Sequence, residues 1–285
     1  SINEVGNHTL TVVGLNGYTN DYTFTVTESV TGLPLEDTYS NVNIYANNAA
    51  LELNGIEYIS GTSITEVGNY TLVVNGTDGY TNSYTFTIIE NDASIPDITS
   101  SSVSINIPNA TLEVNGEIYV SGTTLTEIGH YTLSITGLDG YTSDYSFTIT
   151  ESMSGFVDEE NRQSSITPTL NSLNLTLNGE VYVSGTTISE VGHYSITVTG
   201  INGYSNTFTF TVSEFIPELN STILFIGETL ATIQNVQSVE LDGLEYISED
   251  LITEIGTHTI TVYGLNGYTN SYTFDIQPVI NGFND

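Results

Sequence analysis

The chain has 285 residues, of which 34 are acidic and one, Arg162, is basic, for a formal net charge of −33. A chain this poor in Lys and Arg cannot displace counterions from nucleic acid or bind an anionic bilayer surface, so both partner classes are excluded. With no Cys there are no disulfides, thiolate nucleophiles or Cys-based zinc sites, and the wealth of Thr, Ser, Asn, Tyr, Val and Ile favours strands and turns over helices.

The first predicted elements lie in residues 1–28. Leu10 and Val12 alternate with Thr11 and Val13, and beyond a turn Tyr22, Phe24 and Val26 alternate with Thr23, Thr25 and Thr27. That period of two marks half-buried strands with one Thr-rich face in water. Parity constrains the turn, because opposed residues of an antiparallel pair add to a constant. A two-residue Asn16-Gly17 loop would set Val12 against Asp21 and mix the faces. A three-residue loop, Leu15-Asn16-Gly17 with Gly17 left-handed, sets Leu10 against Tyr22 and keeps one face apolar. Only the second half of a sandwich is present here, so the face carrying Leu10, Tyr22 and Phe24 is expected to stand uncovered.

The pattern then recurs. Glu4-Val5-Gly6 returns as Glu66-Val67-Gly68, Glu127-Ile128-Gly129, Glu190-Val191-Gly192 and Glu254-Ile255-Gly256, at intervals of 62, 61, 63 and 64 residues. Asn16-Gly17-Tyr18 returns as Asp78-Gly79-Tyr80, Asp139-Gly140-Tyr141, Asn202-Gly203-Tyr204 and Asn266-Gly267-Tyr268, always with 13 residues from the Glu to the Gly. Four copies carry an upstream marker: Leu53-Asn54-Gly55 with Tyr58, Val114-Asn115-Gly116 with Tyr119, Leu177-Asn178-Gly179 with Tyr182, and Leu241-Asp242-Gly243 with Tyr246. No insertion falls between that marker and the Gly-Tyr, so length varies only in the joints and first strands. The expected division is a half repeat at 1–28, repeats at 38–90, 100–151, 165–214 and 218–277, and a tail or the start of a further repeat at 278–285. Each unit is too small and too strand-rich for anything but two packed sheets, and Pro-containing joints such as 152–168 limit bending, so the expected molecule is a rod-like array of small β-sandwiches. Ser1 lies inside a repeat, so the start of the gene product is expected upstream of it.

The markers Leu112-x-Val114-Asn115-Gly116, Tyr119, Ser121-Gly122-Thr123, Glu127-Ile128-Gly129, Tyr131-Thr132-Leu133 and Tyr145-x-Phe147 together resemble the bacterial Ig-like repeats of prokaryotic cell-surface proteins. The resemblance covers nearly the whole chain. It implies an all-β tandem array of Ig-like domains serving as an extracellular stalk or spacer at the cell surface, with any adhesive or enzymatic tip elsewhere.

Candidate chemistry is sparse, and no enzyme is expected: no Ser has a His and an acid in register, and no insertion builds a pocket around paired carboxylates. His8 and His258 share one repeat column, His130 and His193 sit one place earlier, and residues a whole repeat apart cannot meet on one ion, so all four are expected as exposed strand-start side chains. No cofactor is called for. Calcium, if the chain binds any, falls to carboxylates near the joints: Glu66, Glu90, Asp92, Asp97, Glu127, Asp158, Glu159 and Glu160. The Asn-x-Thr triplets at Asn7, Asn69, Asn75, Asn109, Asn174 and Asn220 are no more than a Ser- and Thr-rich composition generates.

Two function classes follow. One is a structural protein, a surface stalk or a filament subunit, continuing in a longer array or associating with itself. In the filament form, Val279-Ile280-Asn281-Gly282-Phe283 is the candidate donor strand for the open Leu10, Tyr22 and Phe24 face of another copy. The other class is an adhesin that takes a glycan or protein ligand on its sandwich loops, and would show one repeat with an elaborated loop. The fixed internal spacing favours the first.

Overall fold

The computed structural model describes residues 1–100, 102–155, 165–172, 174–216, 223–226, 233–247 and 250–278. The chain is a tandem array of small all-β sandwiches. It forms two units, one of Ser1–Thr126 and His130–Ile149, the other of Glu127–Gly129 and Thr150–Asp285.

The first unit shows how alternation becomes a sandwich. Gly68–Asn75 pairs antiparallel with Thr81–Ile88 on one side and Ala50–Leu53 on the other, and Ile56–Glu57 closes the edge. Leu72 and Val74 are fully buried while the neighbouring Thr71 faces water, as a period-two strand requires. Two short pairings lie opposite, Val30–Thr31 with Tyr45–Ala46 and Val42–Asn43 with Ser63–Ile64. Val42 and Ile64 of these pairings, with Ile44 between the strands, meet Leu72, Val74 and Phe86, and every buried member of this core falls between Val42 and Ile88. Each aliphatic side chain so buried contributes about 1.5–3 kcal/mol, which lets a thin core hold without disulfides.

A buried tyrosine ties the two layers together. Tyr58 OH accepts from Ile44 N–H at 3.1 Å and donates to Thr62 O at 2.5 Å. Tyr119 bonds Ile105 and Thr123 in the same way. Tyr182 sits opposite Pro168, which has no N–H, so its hydroxyl only donates, to Thr186 O at 2.7 Å, with Pro168 O 3.0 Å away as the alternative acceptor. The preceding Asn-Gly turns the chain with Asn54 left-handed at φ 48, and the Asn54 side chain accepts from Thr71 N–H at 2.7 Å. The upstream marker is therefore a hairpin followed by an interlayer pin.

The second unit repeats the plan. Glu180–Val181, Leu175–Leu177, Gly192–Thr199 and Ser205–Val212 form one sheet, and Ile223–Phe225 adds a parallel strand beside Thr269–Gln277 in the next. Ile196 and Val198 centre the first of these cores, Ile260, Val262 and Phe274 the second.

The register of the hairpin turn agrees with parity: Leu10 faces Tyr22 and Val12 faces Asn20. The turn itself differs from the single left-handed glycine expected. Asn16 and Gly17 both have positive φ, 62 and 81, and so do Asp78 and Gly79, 50 and 75. Tyr80 N–H donates to Thr77 O at 3.2 Å and Gly76 N–H to Tyr80 O at 2.9 Å. This is a two-residue type I′ turn preceded by a bulge in which Gly76 and Thr77 together face Tyr80. The bulge supplies the odd residue that parity demands and turns position 77 outward.

Candidate functional site: the joint between repeats

The bulged residue is where the next repeat is held. In the first unit Thr77 N–H donates to Val5 O at 2.8 Å and Asn7 N–H to Thr77 O at 3.2 Å, a parallel bridge between the Glu4-Val5-Gly6 turn and the bulge of the following repeat. Val5 N–H donates to Asn48 O at 3.1 Å. Leu138 repeats this with Val67 and Asn69, at 2.8 and 3.1 Å, and Val67 N–H reaches Asn109 O at 3.1 Å. In the second unit Ile201 N–H donates to Ile128 O at 2.9 Å, and Leu265 N–H to Val191 O at 2.7 Å. The apolar residue of the turn is buried every time: Val5, Val67, Ile128 and Val191 are 2–6% exposed.

Backbones this close leave no room for a side chain. A Cβ on Gly68 would lie 2.7 Å from Leu138 Cβ and 2.8 Å from Leu138 N, and one on Gly76 would lie 2.5 Å from Val5 O. Glycines in both partners thus serve the joint, a role different from that of Gly79, whose φ of 75 serves the turn.

A carboxylate clasp closes the same joint. Glu28, just past the last strand of the first repeat, accepts from Tyr80 OH, from Asn82 Nδ2 at 2.6 Å and from Tyr84 OH at 2.6 Å. Glu90 accepts from Tyr141 OH at 2.5 Å and Tyr145 OH at 2.7 Å. In the second unit Glu151 takes Tyr204 OH at 2.6 Å and Asn206 Nδ2 at 2.7 Å, while Glu214 takes Tyr268 OH, Asn270 Nδ2 and Tyr272 OH at 2.6, 2.9 and 2.8 Å. Glu90, Glu151 and Glu214 are buried, at 5%, 8% and 3% exposure. With no Lys in the chain and its one Arg outside the described residues, the buried carboxylates are held here by hydroxyl and amide donors.

These bonds shift acidities in opposite directions. Burial opposes ionisation of Glu28, but donation from Tyr80, Tyr84 and Asn82 outweighs it and holds the carboxyl at about 2. Glu90 is likewise lowered, burial being outweighed by Tyr141 and Tyr145. Burial, then the Glu214 acceptor, push the Tyr268 phenol up to about 12. A depressed carboxyl stabilises the fold above its unfolded pKa and loses that contribution as pH falls through the folded one. We expect thermal stability of the wild-type chain to decline from about pH 4.5 down to about pH 2, with Glu28→Gln flattening part of the slope in a calorimetric pH series. Equal slopes in the two proteins would rule out Glu28 as a source.

His258 corrects a sequence expectation, being 6% exposed rather than an open strand-start residue. Its Nδ1 lies 2.6 Å from Asp242 Oδ2 and its Nε2 3.0 Å from Glu254 O. Both partners are acceptors, so both ring nitrogens donate, which only the imidazolium does. Burial pulls its pKa down, Asp242 and the Glu254 carbonyl raise it, and the raising wins. A raised histidine stabilises fully below its unfolded value and ceases to as pH climbs through the folded one. Stability of the fifth repeat should therefore fall as pH rises from about 6.5. In the same column Tyr70 and Tyr194 donate their OH to Glu66 O and Glu190 O at 2.7 and 2.8 Å, so His258→Tyr should remove the pH dependence while keeping the fold. A dependence that survives in that variant would place its origin elsewhere.

The other candidates are scattered. His8 contacts Glu4 O and stacks on Phe24, while His130 and His193 bond Thr148 and Thr211 on their neighbouring strands. Glu90, expected as a calcium candidate, is a clasp residue with both oxygens on tyrosines. Glu66, Asp92, Asp97 and Glu127 are exposed, and Asp158, Glu159 and Glu160 lie outside the described residues. Among the described residues no three His, Asp or Glu side chains gather to hold a metal. Leu10, Tyr22 and Phe24 are 55%, 55% and 40% exposed where Leu72 is 0% and Phe86 8%. The candidate donor residues Val279, Ile280 and Phe283 lie outside the described residues.

No family model and no curated protein matches the chain. Among solved structures it is similar to the N-terminal eight Ig domains of Down syndrome cell adhesion molecule, at 11% identity and a TM-score of 0.17, covering 98% of this chain and 54% of that one. It is similar to a mixed-linkage glucan utilisation protein, SGBP-B, of Bacteroides ovatus, at 12% identity and TM-score 0.17, over 98% of this chain and 72% of that one. A Ca2+-stabilised, ice-binding adhesin of an Antarctic bacterium shares 13% identity at TM-score 0.14, over 90% of this chain and 100% of that one. The chain spans about half the length of the first of these.

Proposed function

We propose that this chain is a structural extracellular repeat protein, a cell-surface stalk or a filament subunit, whose working part is the joint. The observation that carries this is the recurrence of one joint: the same turn, bulge and clasp couple successive repeats in each unit. Each repeat spends its most regular chemistry on its neighbour, as a load-transmitting array needs. Among the described residues no helix is long and apolar enough to cross a membrane. On this reading the chain has no catalytic role and needs no metal, so a chelator should leave its melting temperature unchanged. A downward shift reversed by calcium would overturn that part.

The finer filament form has the 278–285 tail donate a strand to the open face of another copy. Electron microscopy of source cells with antibody against the chain tests the main reading: label along extended surface structures supports it. Label confined to the cell interior would sink it. So would a glycan array showing a specific ligand whose binding is lost on altering residues 152–168, which would make the chain an adhesin.

A further inference from the structure

We infer that the second repeat binds a partner protein through a lysine on an extended segment, taken into an acid-rimmed apolar groove where the two layers of the sandwich part. The inference goes beyond the scaffold reading and does not depend on it.

The groove opens between Ile56–Glu57, the outer strand of one layer, and Ser63–Ile64 of the other. It is a cavity of about 330 Å3 lined by Leu53, Ile56, Tyr58, Ile64 and Tyr70 of the second repeat and by Leu138 of the third. Its walls are largely carbon, because both tyrosine hydroxyls are engaged within the fold, Tyr58 OH on Thr62 O and Tyr70 OH on Glu66 O. Tyr58, Ile64 and Tyr70 are buried, so the core sets the shape of the cavity. Leu138 is fixed there by the joint, through its backbone bonds to Val67 and Asn69.

The polar part is negative. Glu57 and Glu66 line the same cavity and are exposed, so their carboxylates stand where it meets water. Among the described residues neither carboxylate is taken up in a hydrogen bond or an ion pair, unlike those of the clasp. Asp139, beside Leu138, adds a third charge: burial, then Glu66 and Asp139, push the Tyr70 phenol up to about 12. An apolar wall that ends in carboxylates matches a lysine side chain, an aliphatic stem carrying a compact ammonium with three donors. None of the 285 residues is Lys, so neither this sequence nor a second copy of it supplies that side chain.

The backbone beside the groove points to what carries the lysine. Tyr58 N–H bonds inward to Leu51 O at 2.8 Å, so the alternation of an antiparallel edge turns the N–H and C=O of Glu57 outward, toward any added strand. Ile56 and Ile59, each 73% exposed, offer that strand apolar contact. A segment paired here directs alternate side chains to the inner side of the sheet, where the groove lies, so backbone bonds give affinity and the groove selects the side chain.

Methyl and amide NMR of the full chain, titrated with the capped peptide Thr-Val-Lys-Val-Thr, tests this. The methyls of Leu53, Ile64 and Leu138 and the amide of Glu57 should shift together. Norleucine in place of the peptide's lysine keeps the stem and removes the charge, and should weaken binding about tenfold. Glu57→Gln combined with Glu66→Gln, both at exposed positions, should weaken the lysine peptide by a similar factor of about ten. Glu36→Gln combined with Glu113→Gln lowers the net charge equally at exposed sites outside the groove, and should leave binding within about twofold of wild type. No shift at those three methyls, equal binding of the norleucine peptide, or an equal loss in the control pair would overturn the inference. Equal binding of butylamine, which has the charge and no strand, would overturn it too. None of these results bears on the surface labelling that tests the scaffold reading.

Discussion

Glu214→Ala should destabilise the joint it closes by about 2–4 kcal/mol, because it removes the acceptor that two hydroxyls and an amide share, each lost bond costing about 1–3 kcal/mol less what water and the remaining Asn270 Nδ2 to Tyr272 OH bond recover. Tyr268 OH, Asn270 Nδ2 and Tyr272 OH all converge on this one carboxylate, which is 3% exposed, so solvent has little access to replace it. Glu214→Gln should cost less, since its remaining oxygen still accepts and only one position presents a donor to a phenol. Glu245→Ala, on an exposed edge strand of the fifth repeat, should fall within about 0.5 kcal/mol of wild type. Amide hydrogen exchange reads the joint directly, at the Leu265 N–H bonded to Val191 O and the His193 N–H bonded to Leu265 O. Those amides should lose protection in Glu214→Ala before the core amides of Ile260 and Val262 do. Unchanged protection there would mean that the turn and bulge hold the joint without the carboxylate.

Local pairing was open to sequence reasoning and the joint was not, for a physical reason. Leu10 and Tyr22 are twelve positions apart, and alternation with parity is enough to set them opposite each other. Glu28 and Tyr80 are 52 positions apart, and no periodicity inside a repeat says which end of it meets its neighbour. The signal was nonetheless present as columns: Glu28, Glu90, Glu151 and Glu214 end their last strands, and Tyr80-x-Asn82-x-Tyr84 recurs as Tyr268-x-Asn270-x-Tyr272. A carboxylate column beside a hydroxyl column, in a chain with one base, asks for a neutral-donor clasp. The buried His258 was similarly legible, since Tyr70, Tyr131 and Tyr194 share its column and are buried. The turn was half legible, because the Asn-Gly and Asp-Gly dipeptides point to a type I′ turn while parity demands an odd residue, and the bulge satisfies both.

Gly68→Val should separate two reasons for a glycine that look identical in sequence. Gly68 has no left-handed φ, and valine suits the strand Gly68–Asn75, so the repeat itself has no cause to unfold. The joint does, because the first atom added would sit 2.7 Å from Leu138 Cβ and 2.8 Å from its N, and backbone cannot swing aside as a side-chain tip can. Forcing that gap breaks the bonds Leu138 N to Val67 O, Asn69 N to Leu138 O and Val67 N to Asn109 O, at about 1 kcal/mol each, so about 3 kcal/mol of coupling is lost. Gly79→Asn makes the opposite change, since φ at Gly79 is 75 with nothing within 4 Å, and asparagine tolerates that region, so it should be nearly neutral. Limited proteolysis of residues 91–100 distinguishes them: faster cleavage in Gly68→Val and wild-type rates in Gly79→Asn are expected, while Tyr70 and Leu72 amides stay protected in both. Wild-type cleavage in Gly68→Val would mean the repeats are held by the Glu90 clasp alone, with the close backbone approach incidental to it.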